Sequence, residues 1–238
     1  MKLDILAFGA HPDDVELGCG ALIAKEVSSG KKVGIIDLTR GELGTRGSAD
    51  LRDKEAANAA KILGVSVREN LCFADGFFVN DKKHQLKVIK MIRKYQPEIV
   101  LCNAIDDRHI DHPKGSELVS DSCFLSGLVK IETIIEGKQQ EKWRPKQVYH
   151  YVQWKNIEPD FVVDVSGFIN VKERAVLAYS SQFYDPKSDE PETPITSKNF
   201  TDSINYRAKD LGRLIGVDFA EGFTSERYVA VENLSKLI

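Results

Sequence analysis

The sequence predicts an α/β fold, a mainly parallel sheet with helices on both faces and a less regular C-terminal half carrying extra strands. Three observations predict it. Short apolar runs alternate with stretches of helical periodicity through the first half of the chain. Most of the helical stretches close on a glycine or a proline. Strands that alternate with helices are joined by right-handed crossovers, which makes them parallel.

The elements follow in order. Leu3 to Ala10 is a mostly apolar run and reads as a buried strand. Val15 to Ser28 is a helix, with Leu17, Ala21, Leu22 and Val27 near one face and Ser29-Gly30 as its stop. Lys31 to Thr39 is a second strand. Leu51 to Leu63 is an Ala-rich helix closed by Gly64, and Asn70 to Ala74 a third strand. Gln85 to Tyr95 is a helix stopped before Pro97, and Glu98 to Ala104 a fourth strand. Beyond it, Gln147 to Trp154, Phe161 to Val165 and Val229 to Val231 read as strands and Lys172 to Tyr179 as a helix. Asp185 to Asn199 holds three prolines among polar residues and reads as a mobile loop. The whole is a Rossmann-like single domain over 1–238. Residues 1–125 form its core and 126–238 an elaboration that includes a substrate-covering loop at about 185–200.

Composition excludes several classes. A net charge of −3 marks neither a nucleic-acid binder nor a protein held to anionic membrane. No apolar run is long enough to span a bilayer. The N-terminus enters a strand without the apolar region of a signal peptide, so cytoplasm is the expected compartment. Cys19, Cys72, Cys102 and Cys123 are scattered without a CxxC pair, which excludes a zinc-thiolate site and argues against a disulfide framework.

Open parallel sheets bind ligands beyond the carboxyl ends of their strands. There the sequence concentrates its chemistry. Gly9-Ala10-His11-Pro12-Asp13-Asp14-Val15-Glu16 follows the first strand, and Asp106-Asp107-Arg108-His109-Ile110-Asp111-His112-Pro113 follows the fourth. Together they hold three of the five histidines. His11 and Asp14, three apart on a tight turn, can converge on one divalent ion, with His112 as third ligand. Zinc suits that set, and other divalent ions are compatible with it. Asp13 lies beside them as the candidate base toward water. His109 and Asp111 are expected to form a carboxylate–imidazole pair that favours the imidazolium, suited to an oxyanion or a departing amine.

These motifs resemble those of the PIG-L (LmbE-like) family of zinc-dependent N-acetylglucosaminide deacetylases. The resemblance continues through Thr39-Arg-Gly-Glu-Leu-Gly44, Arg52-Asp-Lys-Glu-Ala-Ala57 and Ala220-Glu-Gly-Phe223. It implies His11, Asp14 and His112 as metal ligands, Asp13 as general base, and His109 with Asp111 on the oxyanion side. It implies that Arg52 binds the sugar and that the fold assembles as a homo-oligomer, often a hexamer. Within the family the sequence is most similar to the bacillithiol-pathway enzymes that deacetylate N-acetylglucosaminyl L-malate, where Arg108 would meet the malate carboxylates. A small anionic amino sugar is therefore the expected partner, with neither nucleic acid nor membrane.

Each residue also has a plainer reading. Asp14 could cap the first helix, Arg52 could be a solvated cation, and Arg108 could be bridged to Asp106 or Asp107. His84 and His150 read as structural, and Glu42 and Arg46 carry no assigned role. Tyr184, Phe200 and Tyr206 flank the mobile loop without an alignment that selects one. Rival functions are hydrolysis of another N-acyl amino sugar (chitobiose-type or a sugar-thiol conjugate), a nucleotide-binding module, or a structural metal protein. The second requires GxGxxG after the first strand, which is absent. The third requires a closed set of four ligands.

Overall fold

A computed structural model describes residues 1–237. Nine strands and six α-helices are formed among them: β1 (Ile5–Gly9), α1 (Asp14–Ser28), β2 (Val33–Thr39), α2 (Ala49–Leu63), β3 (Val67–Phe73), α3 (Lys82–Tyr95), β4 (Ile99–Cys102), α4 (Asp111–Ser126), β5 (Ile134–Ile135), β6 (Lys138–Gln139), β7 (Gln147–Tyr151), β8 (Phe161–Asp164), α5 (Ile169–Leu177), α6 (Lys198–Ile215) and β9 (Ala220–Ser225). Seven strands form one sheet in the order β3-β2-β1-β4-β7-β9-β8. From β3 to β7 the pairing is parallel, and β9 runs antiparallel to both neighbours. β5 and β6 form a separate small hairpin.

Every residue of β1 and β2 is buried, as strands covered on both faces require, and the one charge among them, Asp37, is paired with Arg68. Alternation then assigns the layers. Ile5 and Ala7 pack with Val33 and Ile35 against α1, α2 and α5. Leu6 and Phe8 pack with Ile36 and Leu38 against α3 and α4. No described helix is long and apolar enough to cross a membrane. All four cysteines are free.

α1 is broken at Cys19, whose φ of −142° and ψ of 24° are not helical. The break exposes backbone N–H groups in the protein interior. Ala21 N and Leu22 N donate to the two Glu221 carboxylate oxygens, at 3.2 and 2.8 Å. Lys172 Nζ balances that charge at 2.7 Å. Thus Glu221, on β9, caps the second half of a helix distant in sequence. Gly18, just before the break, is obligatory, because a Cβ there would lie 2.0 Å from the Tyr151 ring. Removing the buried cation should be costly. Lys172→Met leaves Glu221 uncompensated, and a stability loss of about 3–5 kcal/mol is expected as a fall in the urea midpoint.

The structure departs from the sequence reading at three elements. The third strand starts at Val67, three residues before Asn70. Val229–Val231 forms no strand: both valines are exposed, and the last strand is β9. α6 was not expected. It begins at Lys198, inside the tail of the supposed 185–199 loop, where Ser197 accepts from Phe200 N as its N-cap. Phe200, Ile204, Ala208 and Leu211 give it an inward stripe diluted by polar neighbours.

Candidate active site

β1 is flanked by β2 on one side and β4 on the other, so strand order reverses there, and the loops after β1 and β4 open at that crevice. The β1 loop is pinned by both neighbours. Ala10 N donates to Asn103 Oδ1 at 2.8 Å, and Thr39 N and Oγ1 both donate to Ala10 O. The turn closes when His11 N donates to Asp14 Oδ2 at 2.9 Å. Asp13 sits at φ 112°, in the left-handed region that L side chains rarely occupy. Asp14 is thus the first residue of α1, and its side chain does not cap the helix.

The two loops bring His11, Asp14 and His112 together. His11 Nδ1 lies 3.4 Å from Asp14 Oδ2, and His112 Nε2 lies 3.2 Å from Asp14 Oδ1. The remaining ring nitrogens face carboxylates: His11 Nε2 is 3.1 Å from Asp75 Oδ1, and His112 Nδ1 is 2.8 Å from Asp107 Oδ2. Asp14 is itself oriented by Asn103 Nδ2 at 3.0 Å and Gln153 Nε2 at 2.6 Å. Two imidazoles, each fixed from behind by a carboxylate, with a hydrogen-bonded carboxylate between them, fit a zinc-type divalent ion. A nitrogen of His109 joins those of His11 and His112 within 4.8 Å.

Electrostatics follow from crowding without solvent. Burial alone would lower His11, but hydrogen bonds from Asp111, Asp14 and Asp75 hold its pKa well above the ordinary range. His112 behaves alike, burial being outweighed by Asp14 and Asp107, and rises to about 9. Asp14 is held well below the usual carboxylate range, burial being overcome by His112 and His11. Burial pushes Asp13 up to about 7, with Arg52 opposing the rise.

Arg52 approaches from α2 and is buried. Its Nη2 donates to Asp13 Oδ2 at 3.0 Å and also to Pro12 O, while Nη1 reaches Gly41 O at 3.3 Å. The guanidinium lies so close over Gly41 (φ 63°) that a Cβ there would come within 1.9 Å of Nη1. This packing accounts for the glycine of the Thr39–Gly44 motif. Arg52 is therefore no solvated cation. Asp13 Oδ1 has no partner among the described residues and lines the cavity.

The expected His109–Asp111 carboxylate–imidazole pair does not form. Asp111 is fully buried, and its carboxylate accepts from Gly76 N at 2.7 Å and Lys114 Nζ at 3.2 Å, with His11 Nε2 at 3.5 Å. His109 Nδ1 instead accepts from the backbone N of Asp111 at 3.3 Å. Burial and the charges of His11 and His112 lower its pKa, so the imidazolium is disfavoured. The neutral tautomer with Nε2 protonated is the one this bond selects.

Arg108 is not bridged to its neighbours. Asp107 is taken by His112 and by Trp154 N and Lys155 N, and Asp106 by Lys155 Nζ. The Arg108 guanidinium lies 4.5 Å over the Trp154 ring. Glu42 accepts from Asp75 N, and Arg46 pairs with Glu190 in the segment before α6. His84 pairs with Asp81, and the buried His150 is held by Ser116 and Glu226, both away from the reacting side chains. Sequence reasoning missed Asp75, Asn103, Gln153, Trp154 and Arg207.

All eight expected site residues except Asp111 line one cavity of about 1070 Å³. It extends past Trp154 to α6 and is closed partly by Thr193, Pro194 and Ile195. Phe200 and Tyr206 line it as well; Tyr184 does not.

Comparison with known proteins agrees with this geometry. Residues 6–123 match the family described as PIG-L, GlcNAc-PI de-N-acetylase. An uncharacterized deacetylase of Escherichia coli, YaiS, is 41% identical over 45% of this chain, a stretch spanning 61% of that protein. The diacetylchitobiose deacetylase of Thermococcus kodakarensis is 29% identical over 75% of this chain and 70% of its own length. The crystal structure of a conserved protein from Thermus thermophilus superposes with a TM-score of 0.86 at 36% identity, covering 98% of this chain and 99% of that one. The matched segment contains both loops, from His11 to His112, and the fold agrees along the whole chain: the protein belongs to the PIG-L family.

Proposed function

We propose that the chain is a divalent-metal-dependent deacetylase of N-acetyl amino sugars, with N-acetylglucosaminyl L-malate as its substrate, as in bacillithiol biosynthesis. The observation that carries this reading is the placement of Asp13, a buried carboxylate with one free oxygen, beside the His11–Asp14–His112 donor set on the wall of the large cavity. The deacetylase names of the matched relatives support it.

His11, Asp14 and His112 would hold the ion. When bound, it supplies Lewis-acid polarisation of the acetyl carbonyl and lowers the pKa of water. Asp13 takes the proton of the attacking water as the new C–O bond forms. His109, protonated on Nε2, donates to the developing oxyanion. As the C–N bond breaks, Asp13 returns its proton to the departing nitrogen, giving acetate and a free amino sugar. Arg52 holds Asp13 in its strained turn while facing the sugar. This mechanism needs no imidazolium at His109.

Amine release measured on N-acetylglucosaminyl malate, N-acetylglucosamine and diacetylchitobiose tests the reading. Preference for the malate conjugate by at least about tenfold in kcat/KM is expected, the worth of one charge-assisted contact. Turnover of diacetylchitobiose above the conjugate would reassign the substrate. Turnover of none, with metal bound, would reject amino-sugar deacetylation.

A further inference from the structure

Beneath the turn that carries Asp13 lies a second layer of charge that the proposed chemistry does not use. Glu16 follows Asp13 by three residues, on the first turn of α1, and is fully buried. Asp37, on β2, is buried as well. One cation serves both. Arg68 comes from β3 with its side chain 8% exposed, and donates from Nε and Nη2 to the two Asp37 oxygens at 2.7 and 2.8 Å. Its Nη1 donates to Glu16 Oε1 and reaches Ala56 O at 3.4 Å. Tyr179 Oη also donates to Glu16 Oε1, at 3.1 Å. Glu16, Asp37 and Arg68 all lie outside the cavity lining, so none of them touches a substrate held there.

The two helices that Arg68 joins are those that position Asp13 and Arg52. Asp13 precedes α1 in a left-handed conformation, φ 112°, and its side chain makes no capping bond. The one partner of its carboxylate among the described residues is Arg52 Nη2, from α2. Where that carboxylate points therefore depends on how α1 and α2 stand to each other. Glu16 lies one turn beyond Asp13, and Ala56 one turn beyond Arg52. Arg68 thus bridges the two helices one turn below the Asp13–Arg52 pair, and Asp37 anchors the bridge to the sheet. Stability alone is a poor reason for such a network. Apolar side chains of similar volume often serve as well as a buried ion pair. Glu16 Oε2 is moreover buried without a partner, which adds to the cost. What the network does supply is fixed geometry. A residue in a strained conformation persists where its surroundings over-determine it.

We propose that Arg68 is a positioning residue for the hydrolysis: by bridging Glu16, Asp37 and Ala56 O it locks the left-handed turn that aims Asp13 into the cavity. The proposal rests on the deacetylase reading and adds a residue remote from both motif loops. Arg68 acts through Asp13, so it governs kcat and leaves KM and metal content to other side chains. The bridge uses the planar fork of the guanidinium, whereas the ammonium of a lysine supplies charge without the fork.

The test is a double-mutant cycle of Arg68→Met with Asp13→Ala, read as kcat on N-acetylglucosaminyl malate with metal content determined on every sample. Arg68→Met is expected to lower kcat at least about tenfold, with KM within about twofold of wild type and metal content unchanged. Arg68→Lys is expected to recover part of that loss. In the Asp13→Ala background the same substitution is expected to change the residual kcat by less than about twofold, because the effect passes through Asp13. Equal losses in both backgrounds, or a loss carried by KM or by metal content, would overturn the proposal. So would an unchanged kcat beside a lowered thermal midpoint, which would leave Arg68 a structural ion. Arg68→Met strands two buried carboxylates, so Arg68→Lys carries the cycle if the methionine variant does not fold. A second readout needs no turnover. Amide hydrogen exchange in residues 10–17 is expected to be at least about tenfold faster in Arg68→Lys than in wild type, with β4 unchanged. Unaltered exchange at the turn contradicts the lock. Should wild type hydrolyse no amino-sugar amide, the deacetylase reading fails, and exchange at the turn still decides whether Arg68 holds it.

Discussion

Asp13→Ala is expected to lower kcat by about 10²–10⁴ while metal content stays near that of wild type. The reasoning is geometric. Asp13 is adjacent to Asp14 in sequence, but its side chain contacts Arg52 and no imidazole, so the donor set of His11, Asp14 and His112 does not depend on it. The substitution also removes an unusual carboxylate from a left-handed backbone, where alanine is no better tolerated. Arg52 then loses its partner in a buried place, so some stability is lost as well. Metal analysis beside steady-state kinetics separates the effects. Loss of metal together with activity would make Asp13 a ligand or an organiser of the site and not the base.

Removing the metal is expected to have an effect of the same order: turnover falls at least about 100-fold and returns when zinc or another suitable divalent ion is restored. The chain holds the pieces in readiness. Asp75 and Asp107 fix the rings of His11 and His112 from behind, and Asn103 and Gln153 fix Asp14. Stripping the ion should therefore leave a folded protein. Its thermal midpoint should fall, because an ion bound to the native state alone stabilises that state by mass action. A chelated sample with unchanged kinetics and unchanged midpoint would remove the ion from the account.

Much of this site was legible because its chemistry is local. His11, Asp13 and Asp14 occupy one turn, and His109 and His112 another, each directly after a strand that an apolar run announces. The parallel arrangement then dictates that the two turns meet. What was not legible depends on single residues brought from elsewhere. Asp75 follows β3, Asn103 closes β4 and Gln153 follows β7; none stands in a pattern that marks it. Asp107 and His112 were both visible, yet their pairing was not.

The His109–Asp111 pairing failed for a reason of helix geometry. Asp111 opens α4, and residues two apart near a helix start do not face each other. Asp111 points back to Gly76 and Lys114, and only its backbone reaches His109. α6 was missed because Ser, Lys, Asn, Thr and Asp crowd its first turns and mask a stripe that begins at Phe200. Arg207, on that helix, was lost with it. β9 carries Gly222 and the charged Glu221, poor strand formers by propensity. Its place between β7 and β8 is set by pairing and by the buried Glu221–Lys172 link.

The central claim is that Asp13 and a metal held by His11, Asp14 and His112 act together on one amide. Amine release from N-acetylglucosaminyl malate, with metal content determined on the same samples, tests it most directly across wild type, chelated wild type, restored wild type and Asp13→Ala. The account predicts turnover only in the first and third, and metal without turnover in Asp13→Ala. Near-normal turnover by the chelated protein, or by metal-loaded Asp13→Ala, would contradict it.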